Sequence, residues 1–191
     1  MSSMPQHHSR ENQFIALSRE TPAVRVPEGL EAMLPAGTEV FLVHELGGDF
    51  TVRSWTGEMF RIEGRHADAL GRQAPAQPEQ AQIAADGMVS DEAVMAVLKT
   101  CYDPEIPVDI VELGLIYECV VRPAEDGGSR ILIKMTLTAP GCGMGQVLAD
   151  DVKRKLEAIA GVSEAQVEIV FEPAWDPSLM TEEARFRVGL F

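Results

Sequence analysis

Between residues 71 and 87 the chain opens as Gly-Arg-Gln-Ala-Pro-Ala-Gln-Pro-Glu-Gln-Ala-Gln, and large apolar side chains are nearly absent. A stretch rich in Pro, Gln and Ala reads as an extended, semi-flexible linker. It divides the 191 residues into two modules. Hydrophobic residues make up 46% of the chain and charged residues 24%, so composition allows an ordinary globular core.

The first module, residues 14–70, has the alternation of β-structure. Val40, Leu42, His44 and Leu46 fall on one face of a strand that ends at Gly47-Gly48, a strong hairpin signal. Phe50 and Val52 continue on the return strand. Thr56-Gly57 marks a second turn before Met59, Phe60 and Ile62. A small antiparallel β module is expected here. Residues 1–13 are polar and read as a disordered tail, with His7–His8 solvated. His44 and His66 have no partner at metal-ligand spacing and read as surface or core histidines.

The second module, residues 88–191, mixes the two periods. Ser90 is placed to cap a helix whose stripe is Val94, Val97, Leu98 and Cys101. Leu115, Tyr117, Cys119 and Val121 read as one face of a strand. Ile131, Ile133, Met135 and Leu137 read as a second strand, paired back through Glu125–Gly128. Leu148, Val152, Leu156 and Ile159 mark a second helix, closed by Gly161. Val167, Ile169 and Phe171 give a third strand, and a short helix is expected over Thr181–Arg187. The order is α-β-β-α-β, which predicts an α/β (α+β) two-layer sandwich with helices on one face of the sheet.

Net charge is −14, from 30 acidic and 16 basic residues. That field disfavours nucleic acid and anionic membrane as partners. No segment has the unbroken apolar length of a membrane helix, and the N-terminus has no apolar core of a signal peptide. Three widely spaced cysteines make no disulfide framework and no C-x-x-C pair. A cytoplasmic protein with reduced thiols is expected.

Two constellations carry chemistry. Cys142 sits in Thr138-Ala-Pro-Gly-Cys-Gly-Met-Gly145, at a strand-to-helix turn. A thiol at a helix N-terminus meets unpaired N–H groups and the positive end of the helix dipole, both of which favour thiolate. The thiolate could serve as a transient metal or cluster ligand, a nucleophile or a persulfide acceptor. A papain-like pairing is disfavoured because all four histidines precede the linker. The other constellation is the loop Tyr102–Gly114, whose Asp103, Glu105, Asp109 and Glu112 place four carboxylates in ten residues. These could bind a hard cation, or simply fix the loop by accepting backbone N–H bonds. Cys101 and Cys119 read as buried structural thiols. Trp175 reads as a pin for the C-terminal tail, and Asp176 as part of the site or of an Asx turn.

Asp103-Pro-Glu-Ile-Pro107, Leu113-Gly-Leu-Ile-Tyr117 and Thr136-Leu-Thr138 leading to Cys142 together resemble the MIP-type iron–sulfur assembly domain family. Leu17–Glu20, Leu34–Thr38 and Arg61–Gly64 further resemble those members that carry an N-terminal module, over nearly the whole chain. The resemblance implies the α-β-β-α-β fold and a non-enzymatic accessory role in cluster maturation or delivery to apo-proteins. It implies that Cys142 is the functional cysteine, supported by Thr138, Gly141 and Gly143, and that Asp103 and Glu105 form the signature loop. The family usually has Asn where this chain has Asp109, and an ionised Asp109 cannot donate a hydrogen bond.

The expected cargo is a transient iron–sulfur cluster or iron, with none stably bound. The expected partners are iron–sulfur assembly proteins and apo-clients, and a homodimer is the preferred assembly. Two other classes stay open: a thiol-based enzyme or persulfide/acyl carrier, and an adaptor without site chemistry.

Overall fold

The structure, a computed structural model, describes residues 14–74, 88–125, 127–141 and 143–190. Cys142, His7–His8 and residues 75–87 of the expected linker lie outside the described residues.

The first part of the chain forms six strands: β1 (Phe14–Ala16), β2 (Thr21–Val26), β3 (Leu30–Leu34), β4 (Glu39–Leu46), β5 (Asp49–Ser54) and β6 (Met59–Ile62). They make one antiparallel sheet in the order β1-β4-β5-β6-β2-β3. Gly47 and Gly48 join β4 to β5 with φ of 57° and 86°. A two-residue turn with positive φ at both positions suits glycine, because any Cβ is strained there. Val40, Phe50, Val52, Phe60 and Ile62 are buried on one face of the sheet.

The expected alternation along β4 holds only to Leu42. Leu42 pairs with Val52 and His44 pairs with Thr51, so Val43 is an extra residue, a β-bulge. The bulge turns His44 and Leu46 to the face opposite Val40 and Leu42. On that second face lie Asp49, Thr51 and Arg61, all buried although polar.

The second part contains α1 (Asp91–Leu98), β7 (Ile116–Pro123), β8 (Ser129–Met135), α2 (Gly145–Glu157), β9 (Val162–Ile169) and α3 (Glu182–Arg187). The Ser90 side chain accepts the Ala93 N–H at 3.2 Å and caps α1. β7 and β8 form an antiparallel hairpin, whereas β8 and β9 run parallel, with α2 as the connection parallel strands require. The α-β-β-α-β order and the two layers are as expected. Val94, Val97 and Leu98 of α1 and Leu148, Val152 and Leu156 of α2 pack on Ile131, Ile133, Met135 and Ala165 of the sheet. The opposite sheet face carries ion pairs, Arg130–Glu164 at 2.6 Å and Lys134–Glu118 at 2.7 Å.

A second bulge corrects the reading of β7. Ile116 pairs with Met135 and Glu118 with Lys134, so Tyr117 is the extra residue. Ile116, Cys119 and Val121 therefore share the face that packs on the helices, and Leu115 precedes the strand. Tyr117 instead donates its hydroxyl to the Pro173 carbonyl at 2.9 Å.

The polar face of the first sheet meets α2. Asp151 lies one residue before Val152 on the inward side of α2 and is buried. Arg61 reaches Asp49 at 2.6 Å and Asp151 at 2.8 Å. Lys155, one turn further along α2, adds Asp151 at 3.0 Å and the Thr100 and Gly47 carbonyls at 2.8 and 3.2 Å. Arg154 also pairs with Asp151. With Lys155 also 3.7 Å from Asp49, Asp49 and Asp151 each have at least two cations beside them, the condition for tolerating charge away from water.

Candidate functional site

The signature loop is held by its own carboxylates. Asp103 Oδ1 accepts the Glu105 N–H at 3.0 Å. Asp109 Oδ1 accepts from both Val111 and Glu112 at 3.0 Å. Both are buried, whereas Glu105 is exposed. Asp109 therefore works purely as an acceptor, and replacing the usual Asn costs the loop no bond among the described residues. Among the described residues no three His, Cys, Asp or Glu side chains converge as a metal site. Asp103 and Asp109 fix backbone, and Glu112 pairs with Arg187 of α3.

The C-terminal segment braces this loop from outside. Trp175 Nε1 donates to the Leu113 carbonyl at 2.9 Å, and the Thr181 N–H donates to the Glu112 carbonyl at 3.0 Å. Arg187 of α3 reaches Glu112 at 3.1 Å. Trp175 is the expected pin. Asp176 resolves as an Asx turn, its Oδ1 accepting the Ser178 N–H at 2.9 Å.

Between loop and tail lies a cavity of about 440 Å³. Glu105, Thr138, Trp175, Met180, Arg187 and Leu190 contribute to its wall. It brings together Glu105 of the Asp103–Pro107 motif and Thr138 of the motif that leads to Cys142, which are far apart in sequence. Trp175, Met180 and Arg187 were not read as site residues. Arg187 did carry a signal, being basic in the last turn of the expected short helix.

Thr138 leads to Gly141, whose φ is +80° with open space where a Cβ would stand. Gly143 is different. A Cβ there would overlap the Glu28 carbonyl oxygen and come within 2.9 Å of the Pro27 carbonyl oxygen. The contact is mutual: a Cβ on Gly29, at φ +71°, would overlap the Gly143 carbonyl. The tip of the β2–β3 hairpin thus lies against the backbone next to Cys142. α2 then begins at Gly145 with Met144 in the N-cap position, without a side-chain cap and without an acid in its first turn.

The two described thiols are poor ligands. Burial, then the nearby Asp151 carboxylate, pushes the Cys101 thiol up to about 12. Burial and Asp91 push Cys119 up as well. Both stay protonated at neutral pH, and neither adds a thiolate to a cluster site. His66 accepts from the Arg19 guanidinium at 3.2 Å with Nδ1 neutral. Burial, Arg65 and Arg19 hold its pKa below the ordinary value. Nδ1 of His44 is buried with no hydrogen-bond partner among the described residues.

A sequence profile described as "Iron-sulfur cluster assembly protein" matches residues 91–169. That span covers the signature loop, Thr138 and Cys142. The "Fe-S protein maturation auxiliary factor" of Porphyromonas gingivalis is 40% identical over 100 residues, 52% of this chain and 91% of that protein. The "Fe-S protein maturation auxiliary factor SufT" of Staphylococcus aureus is 38% identical over 88 residues, 46% of this chain and 96% of that protein. The "Iron-sulfur cluster carrier protein" of a Synechocystis strain is 26% identical over 92 residues, 48% of this chain and 25% of that protein. The profile match leaves out the six-stranded sheet, and these relatives align with about half of the chain.

Proposed function

The chain belongs to the iron–sulfur cluster assembly protein family, and from that premise we propose that it is a non-catalytic accessory factor in cluster maturation. It receives an iron–sulfur cluster or iron as cargo at Cys142 and hands it to an apo-protein. Residues 88–191 carry this activity, and residues 14–70 form an appended module joined through residues 71–87. The observation that carries the reading is that the family match spans all three motifs, and Glu105 of the first and Thr138 of the third line one cavity.

The donor set supports cargo over a resident group. Cys101 and Cys119 are held as protonated thiols, so neither offers a ready thiolate to join Cys142. A single cysteine cannot satisfy a cluster that four protein ligands usually hold. Remaining ligands would come from a client, a donor protein or a second copy of the chain. Few protein ligands also make release easier, which suits transfer. Among the described residues no helix is long and apolar enough to cross a membrane.

The test is anaerobic reconstitution with iron and sulfide, followed by transfer to an apo-enzyme that needs a cluster. Wild type should activate the apo-enzyme and Cys142→Ala should not. Equal activation by both would sink the proposal and favour an adaptor without site chemistry. A stable covalent adduct on Cys142 after incubation with persulfide or acyl donors would instead favour the thiol carrier.

A further inference from the structure

We propose that the open part of the polar face of the six-stranded sheet is the contact between two copies of this chain, related by a two-fold axis. Phe14 and Phe41 form its centre, and Arg53 of one copy meets Glu39 of the other.

The sheet register builds an apolar row on this face. Phe14 pairs with Phe41, Phe41 with Arg53, and Arg53 with Met59, so the four side chains stand side by side across β1, β4, β5 and β6. Arg53 lies two residues beyond Thr51 and Met59 two before Arg61, which puts the row on their face. Arg61 is buried against Asp151 of α2, whereas Phe14 is 51% exposed and Arg53 is exposed. The Phe14 and Phe41 rings meet edge to face with centroids 6.2 Å apart, and the Arg53 guanidinium stands 5.5 Å from the Phe41 centroid. Trp55, 80% exposed, extends the apolar surface just past the end of β5. Aromatic side chains with an arginine are the composition enriched at the centres of protein interfaces.

Charge singles out the same row. Arg19, Arg25, Arg61, Arg65 and Arg72 each pair with a carboxylate of their own module. Arg53 has no carboxylate partner among the described residues, although the chain carries a net charge of −14. A guanidinium held over a ring without a counter-ion is placed to take a carboxylate from outside the chain.

The face itself supplies that carboxylate. Glu39 stands two residues before Phe41 on β4, hence on the same face, and pairs in register with Ala16 of β1. It is exposed and has no cation partner among the described residues. A two-fold axis beside the aromatic pair sets Arg53 against Glu39 twice, because contacts across such an axis are reciprocal. This favours a second copy over an unrelated acidic partner, which Glu39 would repel. Two chains at −14 also repel each other overall, so their contact belongs where charge is locally matched. The row lies outside residues 91–169, so the contact neither needs nor tests the iron–sulfur role.

The experiment is sedimentation velocity on the full chain over a concentration series. Wild type should pass reversibly from monomer to dimer. Arg53→Glu and Glu39→Arg, each alone, oppose like charges at two symmetric points. Each should raise the dimer dissociation constant at least about a hundredfold. An equal mixture of the two single variants should dimerise again near the wild-type constant. One variant then brings two carboxylates to the contact and the other two guanidiniums, so every charge is matched. A wild type that stays monomeric overturns the contact. So does a dimer that neither single variant weakens, or a mixture that fails to recover. A dimer seen only after deletion of residues 1–13 would mean that this chain's own N-terminus takes the face, and overturns the contact as well. If a charge reversal does not fold, Arg53→Gln decides. It removes the cation alone and should weaken the dimer about tenfold, and an unchanged constant overturns the contact.

Discussion

Arg61 of β6 lies 2.8 Å from Asp151 of α2, so one guanidinium joins a sheet residue to a helix residue 90 positions later, both of them buried. The same guanidinium holds Asp49 at 2.6 Å. Removing it takes the nearest cation from buried Asp49, leaving it Lys155 at 3.7 Å, and takes one of three cations from Asp151. Arg61→Leu should cost about 3–5 kcal/mol, the range for breaking a buried ion pair from one side. Urea denaturation, read as a midpoint shift at constant slope, measures this. Arg61→Met combined with Asp49→Leu should recover part of the loss, because Asp151 keeps Lys155 and Arg154 as partners. A loss below about 1 kcal/mol in the single variant would mean that the network is solvated and contributes as a surface pair does.

The pH response of this network has a definite sign. Burial alone would push the Asp49 carboxyl up, but Arg61, Lys155 and the Gly64 N–H outweigh it and hold the pKa below its ordinary value. The Gly64 N–H donates to Asp49 Oδ1 at 2.8 Å. In the unfolded chain Asp titrates near roughly 3.9. A depressed folded pKa means that the unfolded state takes up protons first as the solution acidifies. The stabilisation is therefore complete above the unfolded value and is lost as pH falls through the folded one. Melting temperatures should fall steeply below about pH 4 in wild type. Asp49→Asn should start lower and show a shallower acid limb. Parallel acid limbs in the two proteins would assign the acid loss to other carboxylates.

Secondary structure was largely legible from the sequence, and the departures have one cause. Val94–Cys101 and Leu148–Ile159 carry plain helical stripes, and Gly47-Gly48 fixes a hairpin by itself. The faces of β4 and β7 were misread because Val43 and Tyr117 are bulges. A bulge inserts one residue and inverts the alternation beyond it, and neither residue type announces that. The site was half legible. Asp103, Glu105 and Thr138 stand in recognisable motifs, but their shared cavity needs the chain to close. The buried roles of Arg61 and Asp49 could not be read from the sequence, since burial of that face depends on α2, more than 80 residues away in sequence. Asp151 did leave a sign, because a carboxylate between Leu148 and Val152 falls on the buried stripe.

The three thiols should separate cleanly by reactivity. With its pKa pushed up to about 12, Cys101 has roughly one part in ten thousand as thiolate at pH 8. It is also fully buried. Maleimide should label Cys101 in native protein only after global unfolding, and Cys119 slowly, since it is half-buried with its pKa raised. Cys142 should label first. Urea added through the unfolding transition should bring in Cys101 at the same midpoint as the loss of helix signal. Labelling of Cys101 well below that midpoint would show that α1 opens locally, and would contradict its place in the core.

Asp109 offers a separate test of how the signature loop is held. Its Oδ1 accepts two backbone N–H groups, from Val111 and Glu112, and the residue is buried. An amide oxygen can accept the same two bonds, so Asp109→Asn should change stability by under about 1 kcal/mol. Asp109→Ala leaves both donors without that acceptor and should cost about 1–2 kcal/mol, the usual range for a lost cap. The Ala variant should also loosen the bonds the tail makes to this loop, Trp175 to Leu113 and Thr181 to Glu112. Trp175 fluorescence should then shift toward that of a solvated indole in Asp109→Ala and stay unchanged in Asp109→Asn. Thermal unfolding and emission spectra of the two variants read both effects. Equal losses in Asn and Ala would mean that the charge matters more than the accepted bonds.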